Sequence, residues 1–296
     1  MRTRRRGVAD ARTKVTRRPV LRLPHGDGNR AAEPQPDEVA VEEPLEIRVA
    51  GDVIAVTMRT PGEDRELALG FLLAEGVIAS IADVGGVAHC GRPGEESFGN
   101  AIEVKPGPGI ALDPDGLIRR GTLVTAACGV CGRRSIEDLL DRCAPLPAGP
   151  ALPLAIVAAS TAALDRHQAH FRRTGGLHAA AVLDREGTVL AVSEDVGRHN
   201  AVDKVVGALL LAGTLPIAAA DAETRRPSLL VVSGRVSFEI VQKAVMARIA
   251  VVCGVSAPTS LAIDLATRSG VALAAFVRAG ALNLYSHPER VERTSS

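Results

Sequence analysis

Two cysteines separated by two residues, Cys128 and Cys131 in TAACGVCGRRSIED, are the strongest chemical signal in this 296-residue chain. Such a pair can hold a metal, cycle as a dithiol, or carry a terminal sulfur as a persulfide. A structural zinc site needs four ligands, usually from two such knuckles, and the chain has no second CxxC and no HxxxH. His89 and Cys90 in VAHCGR could complete a set, although adjacent ligands make awkward geometry. Redox dithiols usually open a helix. Cys128 instead stands seven residues before Ser135, which with Asp138 caps the helix expected over SIEDLLDRC, and that is beyond the reach of the helix dipole. Arg119, Arg120, Arg133 and Arg134 can stabilise a thiolate, and Gly129 and Gly132 loosen the loop. The pair by itself does not separate redox chemistry from sulfur carriage. Cys143, at a helix end, and Cys253, in an apolar run, read as packing residues.

A second group of residues points to an anionic ligand. Three strand-to-helix turns repeat one chemistry: Gly197, Arg198, His199 and Asn200; Ser233, Gly234 and Arg235; Ser256, Pro258, Thr259 and Ser260. In an open α/β sheet, ligands sit outside the carboxyl ends of the strands, where helix starts present free N–H groups. Ser, Thr and Asn there also serve as ordinary caps, but capping does not explain Arg198 and Arg235, whose guanidinium forks suit phosphate. No GxGxxG or GxxxxGK[ST] pattern occurs, so standard dinucleotide and P-loop sites are disfavoured.

The elements that must position these residues follow from periodicity. Residues 45–49 and 53–58 read as a hairpin around Ala50-Gly51-Asp52, PGEDRELALGFLLAEGVI as an amphipathic helix, and 84–90 and 100–105 as further strands. A Pro-rich break near residue 150 marks a boundary. Beyond it come a helix over 154–170, a hairpin from LHAAAVLD and TVLAVSE, and a helix over 198–212. The strand LLVVSG, a helix over 237–249, the strand AVVCGV, a helix over 258–268 and the strand VALAAFV follow. Continuous apolar strands alternating with helices predict a mixed α/β sheet covered by helices on both faces. The expected organisation is a disordered basic arm and linker (1–38), a smaller N-terminal α+β domain bearing the CxxC loop (39–150), and a larger α/β domain (151–296).

Composition removes several classes. The net charge of +1 conceals a basic start: residues 1–30 hold ten Lys or Arg against two Asp or Glu. Without apolar periodicity, and running into HGDGNRAAEPQPDE, this arm reads as a solvated tail rather than a nucleic-acid contact. One tyrosine, five phenylalanines and no tryptophan leave little for stacking on bases. No apolar run approaches the roughly 20 residues needed to span a bilayer, so no membrane insertion is expected. Five cysteines, odd in number and sparse, do not form a secreted disulfide framework, and a cytoplasmic protein is expected. An apolar stretch such as 204–212 could serve a homodimer interface.

Seven blocks in order, GFLLAEGVI, CGVCG, GGLHAAAV, EDVGRHNAVDKVVG, SGRVSFEIVQKA, APTSLAIDLA and FVRAGALNLYSHPERV, resemble the formate dehydrogenase accessory sulfurtransferase family, FdhD/NarQ. The resemblance runs from about residue 40 to about 291. It implies a cytoplasmic carrier that takes sulfur from a cysteine desulfurase and passes it to bis-molybdopterin guanine dinucleotide for a formate dehydrogenase apoenzyme. The persulfide cysteine then corresponds to Cys128, with Cys131 its partner. The cofactor-binding segment corresponds to Phe276, Val277, Arg278, Ala279, Gly280 and Ala281, with Ala279 and Ala281 where relatives usually carry more charge. The resemblance makes Arg198, His199 and Arg235 candidates for diphosphate or guanine contact, with the cofactor bound only transiently, no resident metal, and GDP as a mimic. It also implies a cytidine-deaminase-like core. Of the zinc deaminase signature, His178 stands in HAAAV, but Ala180 occupies the glutamate position and no PCxxC follows, so deaminase chemistry is not expected. A chaperone that binds cofactor without sulfur transfer, and a zinc protein, are the competing readings.

Overall fold

The computed structural model describes residues 13–23, 33–92, 95, 98–112, 124–125, 143–215, 226–278 and 280–292. Cys128, Cys131, Ala279 and the helix expected from Ser135 lie outside them.

The first elements among the described residues form a hairpin in which β1 (Val15–Val20) pairs antiparallel with β2 (Gln35–Ala40). At residues 15–20 and 35–38 this corrects the expectation of a disordered arm and linker. The ladder sets basic β1 against acidic β2, with Arg17 opposite Glu38 and Arg18 opposite Asp37, and buries Val15. It is tied to the body by Lys14 Nζ on Glu63 at 2.8 Å and by Arg173 on Glu38. These partners are distant in sequence, so local periodicity carries no trace of them.

Next come β3 (Glu43–Val49), β4 (Asp52–Arg59), α1 (Asp64–Ala74), β5 (Val84–His89), β6 (Ala101–Pro106) and the short β7 (Val124–Thr125). They form a five-stranded sheet in the order β5-β6-β3-β4-β7. The β3–β4 turn is made by Ala50 and Gly51, both at positive φ, as a two-residue hairpin turn requires. Alternation in β3 buries Leu45, Ile47 and Val49 against α1.

After residue 150 follow β8 (Leu152–Pro153), α2 (Leu154–Asp165), α3 (Ala169–Thr174), β9 (His178–Leu183), β10 (Val189–Asp195), α4 (Arg198–Leu211), β11 (Leu229–Val232), α5 (Phe238–Met246), β12 (Val251–Gly254), α6 (Ser260–Ser269), β13 (Ala272–Arg278), β14 (Ala281–Ser286) and β15 (Val291–Glu292). The six-stranded sheet runs β10-β9-β11-β12-β13-β14, with β11, β12 and β13 parallel. On one face α2 covers Ala179, Ala181, Val231, Cys253 and Ala274; on the other, α4, α5 and α6 cover Val182, Leu230, Val252 and Leu273. The molecule is thus a mixed α/β fold with helices on both faces of this sheet. Cys143 and Cys253 are buried, and burial pushes the Cys253 thiol up to about 12.

Two further features differ from the sequence reading. The single helix expected over 154–170 is two, because the Glu194 carboxylate of β10 accepts from the backbone N–H groups of His170 and Phe171, at 3.0 and 2.7 Å, and starts a new helix there. The chain after Arg278 turns back as β14, which forms one edge of the sheet.

One buried cluster joins Leu45, Ile47 and Ile102 to Val182, Val205 and Leu230 through α1 and α4. These helices touch backbone to backbone. A Cβ on Gly70 would lie 1.9 Å from the Asp203 carbonyl oxygen, and one on Gly207 would lie 1.8 Å from that of Glu66. Only glycine permits this crossing. No helix among the described residues is long and apolar enough to cross a membrane.

Candidate functional site at the sheet rim

The carboxyl ends of β10, β11, β12 and β13 lie along one edge of the six-stranded sheet, and His178, opposite Asp195 in the ladder, begins β9 at the same edge. The turns are laced together. Ala179 N donates to Ser233 Oγ and Ser233 N to the Ala179 carbonyl, both at 2.9 Å; Ser256 N reaches the Gly234 carbonyl at 3.4 Å; Phe276 N donates to the Ser256 carbonyl at 3.2 Å. Gly254 has to be glycine, since its Cβ would lie 2.5 Å from Val236 Cγ2. Phe276 itself takes φ 54, a left-handed conformation costly for an aromatic residue.

The structure therefore brings His178, Arg198, His199, Gly234, Ser256 and Phe276 to one rim. Arg235 and Arg278 stand exposed on the same edge, Val277 is buried, and Arg278 pairs with Ala281 across the turn that holds Gly280. Ser256 and Pro258 precede α6, whose Thr259 Oγ1 accepts from Ala262 N at 3.3 Å, so capping accounts for that turn. It does not account for the other two: neither Gly197 before α4 nor Ser237 before α5 supplies a side-chain cap. Their first-turn N–H groups and partial positive charge point along the rim. Arg198 adds a buried Nε with no hydrogen-bond partner, a donor the protein itself does not satisfy.

His199 is held from both sides. Its Nδ1 lies 2.9 Å from Glu239 Oε2 and its Nε2 3.1 Å from Ser237 Oγ. Burial would raise the Glu239 carboxyl, but Lys243 at 3.3 Å and His199 outweigh it and bring it down to about 2. Lys243, which also grips Asp203 at 2.8 and 3.0 Å, stays protonated because these carboxylates overcome its burial. His178 is driven below the ordinary histidine value by burial and then by Arg198 and His199, so it faces the rim as a neutral imidazole.

Beneath the rim, Asp195 is fully buried and organises the helix start. It accepts from Gly197 N at 2.8 Å, Asn200 Nδ2 at 3.2 Å and Thr60 N at 3.1 Å, and pairs with Lys204 Nζ at 2.7 Å. Asn200 Nδ2 also donates to the Met58 carbonyl at 2.8 Å, and Lys204 Nζ to that of Thr60 at 2.8 Å. The end of β4 is thus bolted to the start of α4. Along its other half β4 pairs with β7, Ala55 with Val124 and Val56 with Thr125.

The motif-based reading reaches Arg198, His199, Arg235 and Phe276 but misses Ser237, Glu239, Asp195 and Lys204. Ser237 and Glu239 stand in the quoted block SGRVSFE, and the i, i+4 pair Glu239–Lys243 is a helix signal that could have found them. His89, considered as a zinc ligand, has Nε2 3.3 Å from Asp64 Oδ2, and Cys90 is a free, half-buried thiol. Among the described residues no group of three or more His, Cys, Asp or Glu is arranged to hold a metal ion.

The FdhD/NarQ family model matches residues 40–292. A protein named sulfur carrier protein FdhD from Anaeromyxobacter dehalogenans (strain 2CP-C) is 57% identical over 260 residues, covering 87% of this chain and 90% of its own. The protein of the same name from Mycobacterium tuberculosis (strain ATCC 25618 / H37Rv) is 47% identical over 266 residues, covering 87% and 92%. A crystal structure assigned as a formate dehydrogenase accessory protein from Desulfotalea psychrophila superposes with a TM-score of 0.71 at 25% identity, covering 95% of this chain and all of that one.

Proposed function

This chain belongs to the FdhD/NarQ family, and on that premise we propose that it is a sulfur carrier that moves sulfane sulfur from a cysteine desulfurase to bis-molybdopterin guanine dinucleotide, in support of formate dehydrogenase. The observation that carries the reading is the near full-length identity, 57%, with a protein named as a sulfur carrier.

Cys128 is the nucleophile. Its thiolate attacks the outer sulfur of the desulfurase persulfide, the donor S–S bond breaks, the donor thiolate leaves, and a new S–S bond stands on Cys128. Attack by the Cys131 thiolate on Cys128 Sγ then releases the outer sulfur as hydrosulfide and leaves a Cys128–Cys131 disulfide, which an external thiol reduces. Two residues separate Thr125 from Cys128, so three Cα–Cα steps give a reach of about 10 Å at full extension. Thr125 is in register with Val56 on β4, whose end is bonded to Asn200 and Asp195. That tether supports delivery near the rim.

The acceptor is a substrate rather than a resident group, and the rim has donors of the right kind for its diphosphates. Arg198 offers its unsatisfied Nε, α4 and α5 offer starts without a side-chain cap, Arg235 and Arg278 offer exposed guanidinium groups, and Phe276, Gly280 and Ala281 flank them. The neutral His178 can hydrogen-bond a guanine edge without adding charge, while His199, whose two ring nitrogens meet Glu239 and Ser237, positions the start of α5 beside it. A cytidine-deaminase-like ancestry of the six-stranded core and a cytoplasmic setting fit the same reading.

Mass spectrometry after incubation with a cysteine desulfurase and cysteine tests it. Wild-type protein gains the mass of one sulfur, and Cys128→Ala does not. If Cys128→Ala still takes the sulfur and still supports formate dehydrogenase, the assignment is wrong.

A further inference from the structure

A serine immediately before a helix ordinarily caps it by accepting from an N–H of the first turn. Ser237 stands in that place before α5 and makes no such bond. Its Oγ meets His199 Nε2 at 3.1 Å instead. The other ring nitrogen, Nδ1, lies 2.9 Å from Glu239 Oε2. Hydroxyl, imidazole and carboxylate follow one another in the order that activates a serine for nucleophilic attack.

The donor inventory sets the polarity of this chain of groups. A carboxylate only accepts, and Lys243 at 3.3 Å helps to hold Glu239 ionised, so the proton of a neutral ring sits on Nδ1, facing Glu239. Nε2 is then the acceptor for the Ser237 O–H, and the Oγ lone pairs are left for a reacting carbon. No donor meets Glu239 Oε2 with standard hydrogen-bond geometry; contacts of this kind are often loose in free enzymes and tighten on substrate. Exposure is graded as such a site needs. The His199 and Glu239 side chains keep 7% and 13% of their surface, while Ser237 is half-buried at the rim. The frame around the serine is fixed by the backbone: Val236 N donates to the Ala257 carbonyl at 3.1 Å, Thr259 N to that of Val236 at 3.0 Å, and Val241 N to that of Ser237 at 3.3 Å. On the other side, the Asp195 bonds to Gly197 N and Asn200 fix the start of α4 that carries His199.

Groups that stabilise developing charge lie beside the hydroxyl. The first N–H groups of α5 have no acceptor within the helix. That of Phe238, directly after Ser237, holds the place that supplies one oxyanion donor in hydrolases whose nucleophile stands between a strand and a helix. Arg235, two residues before Ser237, is exposed, and Arg198, next to His199, has a buried Nε without a partner. Both guanidinium groups favour a substrate that carries negative charge.

We infer that Ser237, His199 and Glu239 form a nucleophilic serine site at the rim, an activity additional to sulfur carriage, which cleaves esters whose acyl half is negatively charged. Ser237 Oγ attacks the ester carbonyl carbon as its proton passes to His199 Nε2, the bond from that carbon to the alkoxy oxygen breaks, and the alcohol leaves with the proton. Water, giving a proton to the same nitrogen, then splits the acyl–Ser237 ester; the acid is released and Oγ regains its proton. Ser237 and His199 are the catalytic residues. Glu239 is a positioning residue that fixes the ring tautomer and stabilises the imidazolium.

The full chain without cofactor is tested with a fluorophosphonate ester, which places phosphorus on an activated serine and releases fluoride. Mass spectrometry should find a single label, at Ser237, that is absent after heat denaturation, and His199→Gln should slow labelling about 100-fold or more. The kcat/KM for hydrolysis of para-nitrophenyl hemisuccinate should exceed that of para-nitrophenyl acetate about tenfold or more, as for one charge-assisted contact, and Arg235→Gln should erase the difference. The labelling rate should rise with pH as the His199 ring loses its second proton, and Glu239→Gln should move that inflection to lower pH, which a merely structural carboxylate would not do. The other charged or titratable groups around the ring, His178, Arg198 and Asp195 on one side and Lys243 with Asp203 behind Glu239, are unchanged in that variant. If the native protein takes no label, takes it away from Ser237, or labels no faster than His199→Gln, the serine is not a nucleophile. Equal rates on the two esters would remove the anionic substrate class, and an unmoved inflection would remove Glu239 from the site.

Discussion

Gly207→Ala sets local helix preference against tertiary packing, because the two act with opposite sign. In an exposed helix interior the change stabilises by about 1 kcal/mol. Here the new Cβ would lie 1.8 Å from the Glu66 carbonyl oxygen and 2.6 Å from its carbon, where ordinary contact begins at 3.4 Å. Both partners are backbone, so no rotamer change absorbs the clash, and α1 and α4 must part by more than an ångström. The reciprocal contact at Gly70 belongs to the same crossing, and Leu67, Leu69, Val205 and Val206 around it lose packing as the gap opens. Overpacking costs typically about 1–3 kcal/mol and more where relaxation is blocked. Because both helices have to shift, a net loss of about 2 kcal/mol or more is expected after the propensity gain is subtracted. For a chain of this size that lowers the thermal midpoint by several degrees. Thermal and urea unfolding of Gly207→Ala beside wild type measure it. A midpoint equal to or above wild type would show that the helices do not touch as described and refute the reasoning.

Other consequences concern the charges beneath the rim. Glu239 has a folded-state value of about 2 against an ordinary 4.5, so its ionised form stabilises the fold above pH 4.5 and that contribution is lost as pH falls from 4.5 towards 2. It amounts to at most about 3 kcal/mol, and urea titrations from pH 6 to 3 should show a shallower acid loss for Glu239→Gln than for wild type. Asp195→Ala leaves the buried Lys204 with only the Thr60 carbonyl and a more distant Glu63 at 3.9 Å, and a loss of about 3 kcal/mol is expected; a change below about 1 kcal/mol in the same titration would contradict the bolted arrangement of β4 and α4. His178 should titrate below the ordinary histidine value by NMR, and Arg198→Ala should move that midpoint upward; an unmoved midpoint would mean that Arg198 does not face His178.

How much was legible from sequence depended on the range of the interactions. The rim turns were readable because strand, glycine, arginine and helix start follow one another within a few residues. That these turns share one sheet edge then follows from α/β topology. The buried anchors were not readable, because Asp195 and Lys204 act on Thr60 across more than 130 residues. In one dimension they are merely a charged pair at a helix start. The break between α2 and α3 depends on Glu194, which lies more than 20 residues downstream, and the β1–β2 ladder on charges separated by a loop. Strand β14 is not legible because ALNLYS has weak alternation and runs on from residues 276–281, which the resemblance assigns to cofactor binding. Ser237 and Glu239 were hidden for another reason: a serine before a helix and a glutamate in its first turn are ordinary helix-start residues, and their function shows only when His199 from a different helix lies between them.

The most direct test follows a labelled sulfur atom. The protein is loaded at Cys128 with radiolabelled sulfur from a cysteine desulfurase, purified, and presented with bis-molybdopterin guanine dinucleotide and a formate dehydrogenase apoenzyme. The account predicts that the label leaves Cys128 and is recovered with the cofactor, and that Arg198→Ala with Arg278→Ala slows the exchange while leaving the loading step intact. Label that remains on Cys128, or that reaches the cofactor equally fast from the arginine variants, would contradict delivery at the rim.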